Sequence, residues 1–204
     1  MLTIYLTRHG QDEDNKNGLL NGHRDSPLTD LGKEQARSLA QWFKNRRIRF
    51  DAVYSSPLQR AYKTAELVSK ITDSPRPVKM QELIERDFGF MTGRPIADIP
   101  KLCLHIIKAD LANYFLDGEG VETFPKLLER AQRALQKLHQ RHDEGNILIA
   151  THGDFGKMLY AAYYKLGWEE VLKMFHFGNS DVIVLSPKTL SHDAIIRHTV
   201  QRNL

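Results

Sequence analysis

Five short apolar runs are separated along the chain by longer stretches in which apolar residues recur every three or four positions. Runs of four or five residues are too short for helices, so they predict strands, the last of them at a sheet edge. The runs cover residues 2–6, 51–54, 146–150, 181–185 and 194–198. The helical spacing covers residues 30–45, 121–142 and about 154–165. This alternation predicts an α/β fold, a three-layer α/β/α sandwich with a mostly parallel central sheet.

Two helix starts carry capping signals. Thr29 or Asp30 is the candidate N-cap of the first long helix. After the second strand, Ser56 is the candidate N-cap, with Pro57 in the first turn and Gln59 completing a capping box. A helix is therefore expected to begin at Pro57, immediately beyond the strand.

The chain shows no internal repeat, low-complexity segment or Gly/Ser/Pro-rich linker, which favours a single domain over residues 1–204. Its least regular stretch is about 92–120. Helical spacing in that stretch is carried by Ile96, Ile99, Leu102, Ile106 and Ile107. It is interrupted by Pro95, Pro100, Gly118 and Gly120. We interpret the stretch as a variable excursion that caps the substrate, because substrate-selecting elements often lie on such connections.

Composition narrows the class of protein. With 41% hydrophobic and 26% charged residues the chain lies in the globular range. A single cysteine, Cys103, excludes an internal disulfide framework and a Cys-rich zinc site. No apolar run approaches the roughly 18–20 residues of a membrane span. The first ten residues become polar too early for a signal peptide. A cytoplasmic protein without a membrane partner is expected.

The charge is mildly basic, with a formal net charge of +4. Its densest run is residues 44–49, at the end of a predicted helix, where cations complement the helix dipole. A solvated helix end is favoured over a nucleic-acid patch, so no nucleic-acid partner is expected. Extra positive charge also suits anionic small substrates, so charge alone does not decide the partner.

Polar residues of one kind follow three of the predicted strands. Arg8-His9-Gly10 follows the first, Arg60 lies just beyond the second, and His152-Gly153 follows the third. Ligands bind at the carboxyl ends of strands in open parallel sheets, and arginine forks suit phosphate oxygens. One histidine or arginine at a strand end is more often structural, but two His-Gly pairs with arginines favour an anion site for a phosphoryl group.

These residues carry a resemblance that continues in order along the chain. The matching segments are residues 6–10, Asn15, residues 22–32, residues 55–65, residues 83–89, residues 120–130 and residues 151–153. The set resembles the histidine phosphatase superfamily, which includes the cofactor-dependent phosphoglycerate mutases. The segment 119–123 departs from the family's usual Gly-Gly-Glu-Ser, since one glycine is replaced and Thr123 stands for serine. That departure concerns a loop and not the catalytic set.

The resemblance implies a role for each site residue. His9 would attack phosphorus and form a phosphohistidine, and Glu85 would protonate the leaving group and then deprotonate water. Arg8, Arg60 and His152 would hold the transferring oxygens. The resemblance also places Asn15, Gly22 and Gly153 at the substrate. It implies no cofactor and no metal, and the pair His139 and His142, three apart on the predicted long helix, is interpreted as solvated rather than as a zinc site.

A metal-independent phosphomonoesterase acting on a small phosphorylated metabolite is the leading hypothesis, and a cofactor-dependent phosphoglycerate mutase is the alternative. Mutases are expected to be longer, with a C-terminal tail over the site, whereas this chain ends at Leu204. A phospho-ligand-binding protein with a dead site and a nucleic-acid binder are weaker alternatives. The oligomeric state cannot be read from the sequence.

The identity of the substrate also stays open at this stage. Five cationic side chains lie in or beside the excursion and are either contacts for a second anionic group or surface charge. They are Arg86, Arg94, Lys101, His105 and Lys108.

Overall fold

The computed structural model describes residues 1–109 and 111–196. In these ranges the strands are β1 (Leu2–Arg8), β2 (Ala52–Ser55), β3 (Val78–Lys79), β4 (Ile106–Ala109), β5 (Ala112–Phe115), β6 (Gly145–Thr151), β7 (Val182–Leu185) and β8 (Ile195–Ile196). The helices are α1 (Glu13–Lys16), α2 (Asp30–Asn45), α3 (Gln59–Thr72), α4 (Ile99–Leu102), α5 (Phe124–His139), α6 (Gly153–Tyr164) and α7 (Trp168–Met174). The predicted α/β class is confirmed.

The main sheet has the strand order β3-β2-β6-β1-β7-β8. Strands β3, β2, β6 and β1 are mutually parallel, whereas β7 runs antiparallel to β1. The sheet is therefore mostly parallel, as predicted. Arg8 pairs with Thr151, and Ser55 pairs with Ala150, so the carboxyl ends of β1, β6 and β2 lie side by side. The three polar strand ends meet at one edge of the sheet.

Helices cover both faces of this sheet because its strands are apolar on both sides. Ile4, Ile147 and Ile149 belong to a core formed with α5, α6 and α7. Val53 and Leu148 belong to a second core formed with α2 and α3. Successive residues of β6 therefore alternate between the two cores, as the period of a strand requires. The predicted three-layer α/β/α sandwich is confirmed.

The first capping prediction is confirmed and the second is wrong. Thr29 is the N-cap of α2, where its Oγ1 accepts a hydrogen bond from the Gly32 N–H at 3.0 Å. Helix α3 begins at Gln59 rather than Pro57, and its N-cap residue makes no side-chain cap. The free N–H of Gln59 donates instead to Asp25 Oδ1 at 2.6 Å. A carboxylate from a distant loop thus replaces the local serine cap.

Residues 92–120 contain less helix than the apolar spacing suggested. A single turn, α4, ends before Cys103, whose backbone is extended, and the following isoleucines lie in β4. Strand β4 pairs antiparallel with β5, so Ile106 faces Phe115 and Ile107 faces Tyr114. The helical spacing through both isoleucines does not produce a helix, because pairing with β5 satisfies their backbone groups.

Two other predicted elements differ at their ends. The long helix α5 spans Phe124–His139 rather than residues 121–142, so His139 and His142 do not share a helix. His142 lies beyond it and its Nε2 is 2.8 Å from the Tyr54 hydroxyl. The predicted strand 194–198 is present as β8, and its residues 197 and 198 lie outside the described residues.

The basic run at residues 44–49 lies at the C-terminal end of α2, as predicted. Arg46 lies over the Trp42 ring at 4.1 Å, and Arg49 pairs with Asp73 at 3.0 Å.

Within the part of the chain that the structure describes, no helix is both long enough and apolar enough to span a membrane.

Candidate active site

His9 is held at the end of β1 with its proton position defined by the backbone. The backbone N–H of His9 donates to the Thr151 carbonyl at 3.0 Å, and this bond continues the β1–β6 ladder by one residue. Its Nδ1 is 2.7 Å from the Gly10 carbonyl. Because a carbonyl only accepts, Nδ1 carries the ring proton in the neutral form and Nε2 carries the lone pair. The neutral ring of His9 therefore keeps its lone pair on Nε2.

His152 occupies the equivalent position after β6, where it is the N-cap residue of α6. The two histidine rings are 5.1 Å apart between centroids and both are almost fully buried. His152 Nε2 is 2.7 Å from the Ser56 hydroxyl oxygen. Burial, followed by the Arg60 charge, holds the pKa of each histidine well below its usual range. The two rings are consequently neutral at pH 7.

Arg60 is a buried guanidinium in the first turn of α3. It lies 3.2 Å from Asp12 Oδ2, and it donates to the carbonyls of Gly22 at 2.9 Å and Arg24 at 2.6 Å. Gly22 adopts a φ of 47°, a conformation that favours glycine. The predicted substrate-binding Gly22 thus contacts Arg60. Its carbonyl positions a cation of the site.

Glu85 is cradled by the amino end of α6. Its Oε1 accepts from the Phe155 N–H at 3.0 Å and from the Arg86 N–H at 2.8 Å, while its Oε2 lies 3.4 Å from the Asp154 N. Burial, followed by the Asp154 charge, raises the pKa of Glu85. The carboxyl group therefore keeps its proton to a higher pH than an exposed glutamate does.

Arg130 holds the Glu85 loop from the opposite side. It donates to the carbonyl of Glu85 at 3.1 Å and to that of Ile84 at 2.7 Å. Glu122 in turn accepts from Arg130 through both oxygens, at 2.9 and 2.7 Å. The segments 83–89 and 120–130, which are separate in the sequence, are thereby joined behind the proposed acid.

A cavity of about 200 Å³ opens onto this cluster. Arg8, Asn15, Glu85 and Gly153 line it, together with side chains of the excursion. His9, Arg60 and His152 are buried and are not among the residues that line the cavity, whereas Arg8, which precedes His9 in the chain, does line it. In the described part of the chain, His152 Nδ1 and Arg8 Nε have no hydrogen-bond partner, so both nitrogens remain available to a ligand.

Sequence reasoning missed the residues that hold this set in place. Asp12 pairs with Arg60, Ser56 contacts His152, and Asp154 raises the pKa of Glu85. Lys157 also lines the cavity, whereas the sequence pattern indicates only that it lies in a helix. The available signal was position, because each of the four lies within five residues of a predicted site residue.

Metal ligands do not gather in the described residues. Across residues 1–109 and 111–196, no group of three or more His, Cys, Asp or Glu side chains has an arrangement that would hold a metal ion.

Known proteins resemble this chain in sequence along almost its whole length. The sequence profile of the histidine phosphatase superfamily, branch 1, matches residues 4–194. The adenosylcobalamin/alpha-ribazole phosphatase of Escherichia coli is 31% identical over 188 residues, which is 86% of this chain and 84% of that protein. A 2,3-bisphosphoglycerate-dependent phosphoglycerate mutase of Parvibaculum lavamentivorans is 32% identical over 179 residues, 84% of each chain. The expectation that mutases are clearly longer is wrong for this relative.

Solved structures of other proteins share the fold of this chain. The structure of mycobacterial glucosyl-3-phosphoglycerate phosphatase with VO3 superposes with a TM-score of 0.78 and covers 95% of this chain, while 94% of that chain is matched. At 23% identity this similarity shows the fold alone. The profile match over almost the whole chain and the relatives above 30% identity decide the family: the chain belongs to the histidine phosphatase superfamily, branch 1.

Proposed function

We propose that the chain is a metal-independent phosphomonoesterase that acts through a phosphohistidine on His9. His9 Nε2 attacks phosphorus, the N–P bond forms, and the bond from phosphorus to the ester oxygen breaks. Glu85 gives its proton to the leaving oxygen. In the second half, Glu85 takes a proton from water, the water oxygen attacks phosphorus, and the N–P bond breaks. Phosphate leaves, and His9 is again neutral.

The paired protonation states of His9 and Glu85 carry this proposal. Burial lowers the pKa of His9, which keeps the imidazole neutral, and raises the pKa of Glu85, which favours the protonated carboxyl. These are the forms that a nucleophile and a general acid need before the first step. The Nδ1 contact with Gly10 supports the same assignment, because it leaves the lone pair on Nε2.

Positive charge around the histidine pair supports transfer of a phosphoryl group in particular. Arg8 and Arg60 lie close enough to lower the pKa of both rings. Fixed cations and N–H donors stabilise the charge that spreads over phosphoryl oxygens in the transition state. His152 Nδ1 and Asn15 add further polar contacts, and Gly153 leaves room beside them. On this proposal the cavity takes a small phosphorylated substrate.

The experiment is turnover and trapping with His9→Ala. We expect loss of p-nitrophenyl phosphate hydrolysis by about 10³-fold or more, because the residue that forms the covalent intermediate is gone. Rapid quenching of wild type should give an acid-labile phosphoryl label that the variant lacks, and chelators should leave turnover unchanged. His142→Ala is the matched control, since His142 contacts Tyr54 outside the site. Near-normal turnover in His9→Ala, or a chelator-sensitive reaction, would contradict the proposal.

A phosphoglycerate mutase is the second candidate, and the relative from Parvibaculum lavamentivorans favours it. Both activities share the phosphohistidine and differ in whether water or a second alcohol receives the phosphoryl group. With phosphoglycerate and a bisphosphoglycerate primer, we expect phosphate release to exceed isomer exchange. Fast exchange with little release would favour the mutase.

A further inference from the structure

The cavity beyond the phosphoryl end is walled mainly by apolar side chains. Leu19, Leu20 and Phe88 line it from the loops after α1 and before the excursion. Ile96 and Leu111 line it from the excursion itself and remain 44% and 71% exposed, so the apolar wall continues to the cavity rim. An exposed apolar rim continuous with a buried wall is suited to an apolar group that enters from solvent.

The cations in this wall are already occupied by protein groups. Arg86 pairs with Asp154 at 2.8 Å and donates to the Phe115 carbonyl at 2.9 Å, with its guanidinium 4.3 Å from the Phe115 ring centre. Lys157 donates to the Leu172 carbonyl at 2.9 Å near the carboxyl end of α7. Burial lowers the pKa of Lys157 to about 8. These cations therefore serve the fold around the cavity.

The other cations of the excursion lie away from the lining. Lys101 pairs with Asp98 at 3.1 Å, and His105 lies 2.7 Å from Asp117. Arg94 donates to the Phe90 carbonyl at 3.0 Å, and Lys108 is exposed. Of the five cations that sequence analysis left open, Arg86 lines the cavity and already has an anionic partner.

Among the described residues, the acidic side chains of the wall leave no cation free to hold a second negative charge on the substrate. Asp154 and Glu85 both line the cavity, but Asp154 is paired with Arg86 and burial favours the protonated form of Glu85, so a substrate carboxylate beside them would lose hydration without gaining a counterion. Asn113 provides a polar contact that suits a neutral hydroxyl or ether. The wall therefore favours an uncharged substrate moiety on two counts: its apolar area, and cations that are already engaged by protein groups.

We propose that the preferred substrates are phosphomonoesters of uncharged, largely apolar alcohols, and not phosphate esters that carry a carboxylate or a second phosphate. The inference rests on the proposed phosphatase function and names the substrate class of that same site. About 200 Å³ corresponds to about seven water-sized volumes at roughly 30 Å³ each. This holds a phosphoryl group and a few carbons, and a longer chain continues over Ile96 and Leu111.

The first test compares substrates whose leaving groups differ in size and charge. In a series of n-alkyl phosphates from ethyl upward, kcat/KM should rise about fourfold for each methylene that enters the cavity and then level off. The phosphate ester of 3-hydroxypropanoate is the same shape as 3-methylbutyl phosphate, with a carboxylate in place of the branched methyl groups. It should be poorer in kcat/KM by about tenfold or more. Phosphoserine and 3-phosphoglycerate should be similarly poor.

The second test moves a charge onto the rim. Leu111→Lys should raise the ratio of kcat/KM for the carboxylated ester over the alkyl ester by about fivefold, which is the effect of one cation a few ångströms away in water. Leu104→Lys is the matched control, because Leu104 lies on the same excursion, is 93% exposed and is not in the cavity lining. It should leave the ratio unchanged.

The outcomes separate the two proposals. If the protein hydrolyses phosphoserine or phosphoglycerate in preference to 3-methylbutyl phosphate, the proposed substrate class is wrong. The proposed phosphatase function is not contradicted by that result. Absence of turnover on every ester would overturn the phosphatase function. Binding still tests the cavity in that case: 3-methylbutylphosphonate should bind more tightly than 3-phosphonopropanoate in calorimetry, and the reverse order would overturn the substrate class.

Discussion

The proton on Glu85 is controlled by two opposing sets of contacts. The N–H groups of Arg86 and Phe155 favour the carboxylate, whereas burial and the nearby Asp154 disfavour it. The balance raises the pKa of Glu85, so removing Asp154 should allow the carboxylate to form more easily. Asp154→Asn also frees Arg86 from its ion pair, and a free cation nearby acts in the same direction.

We therefore expect the alkaline limb of kcat/KM to move to lower pH in Asp154→Asn. The limb reports loss of the proton that the leaving alkoxide needs, so the effect should be clear with alkyl phosphates. It should be smaller with p-nitrophenyl phosphate, whose leaving group departs without a proton. The measurement is a pair of pH–rate profiles, one for each substrate.

Asp87→Asn is the control for this change, because it removes the same charge two residues from Glu85. Asp87 accepts from the Gly89 N–H at 2.9 Å, a bond that asparagine can keep. Its profile should match wild type. An unmoved limb in Asp154→Asn would mean that Asp154 does not influence the proposed acid.

At the residue scale, the sequence points to the groups proposed to touch substrate better than to those that support them. Arg8, His9 and His152 stand in short motifs at strand ends, where a single chain position implies a place in space. Asp12, Ser56 and Asp154 act through contacts with residues far along the chain, as when Ser56 reaches His152. No local pattern encodes such an approach.

Helix α6 begins at the proposed site with Gly153, whose missing side chain faces two of the proposed site residues. A Cβ on Gly153 would lie 3.8 Å from the Arg8 guanidinium carbon and 3.8 Å from Glu85 Oε2. Both distances are ordinary contacts, so the fold accepts alanine there. The added methyl group nevertheless stands between the proposed phosphoryl-binding arginine and the proposed acid, on the cavity lining.

Gly153→Ala should therefore reduce kcat/KM by about tenfold to a hundredfold, because small displacements of a reacting group are costly. Stability should stay the same or rise slightly, since alanine has the higher helix propensity. Chemical denaturation and steady-state kinetics on the same preparation check both halves. Gly167→Ala is the control, because nothing lies within 4 Å of its Cβ position at the start of α7. Full activity in Gly153→Ala would argue that substrate does not pass this point.

At the element scale, the apolar spacing predicts the helices and strands whose apolar residues fit only one kind of secondary structure. It misleads where two arrangements satisfy the same residues. Ile106 and Ile107 fit a helical repeat, but they also fill the two faces of a hairpin strand. Ser56 is a good local N-cap, but His152 takes its hydroxyl and Asp25 supplies the cap of α3.

At the scale of the whole molecule, the apolar pattern does not predict the direction of β7. A buried apolar run reads the same whether its strand is parallel or antiparallel, and β7 is antiparallel to β1. The meeting of three strand ends was predictable because β1, β6 and β2 are parallel neighbours. Their side-by-side order brings the two histidines from positions 9 and 152 into ring contact.

Burying two neutral histidines affects the stability of the entire fold. Burial, and then Arg60, lowers the pKa of His9 and His152 well below the ordinary value near 6.5. Below about pH 6.5 the two histidines bind protons in the unfolded chain but not in the folded chain. Stability therefore falls as the pH falls, by up to about 1.4 kcal/mol per pH unit for each histidine. Above pH 6.5 the two groups add no pH dependence.

We expect His9→Asn and His152→Gln each to reduce this slope by about 1.4 kcal/mol per pH unit between about pH 6 and pH 5, and the double variant to remove both contributions. Asparagine can keep the N–H bond to the Gly10 carbonyl, and glutamine can keep the contact with Ser56, so the fold is retained. Urea unfolding at a series of pH values gives the slopes. Glu85 contributes with the opposite sign, because its pKa is raised, and that contribution is common to all the variants. Equal slopes in wild type and the double variant would mean that the histidines accept protons inside the fold.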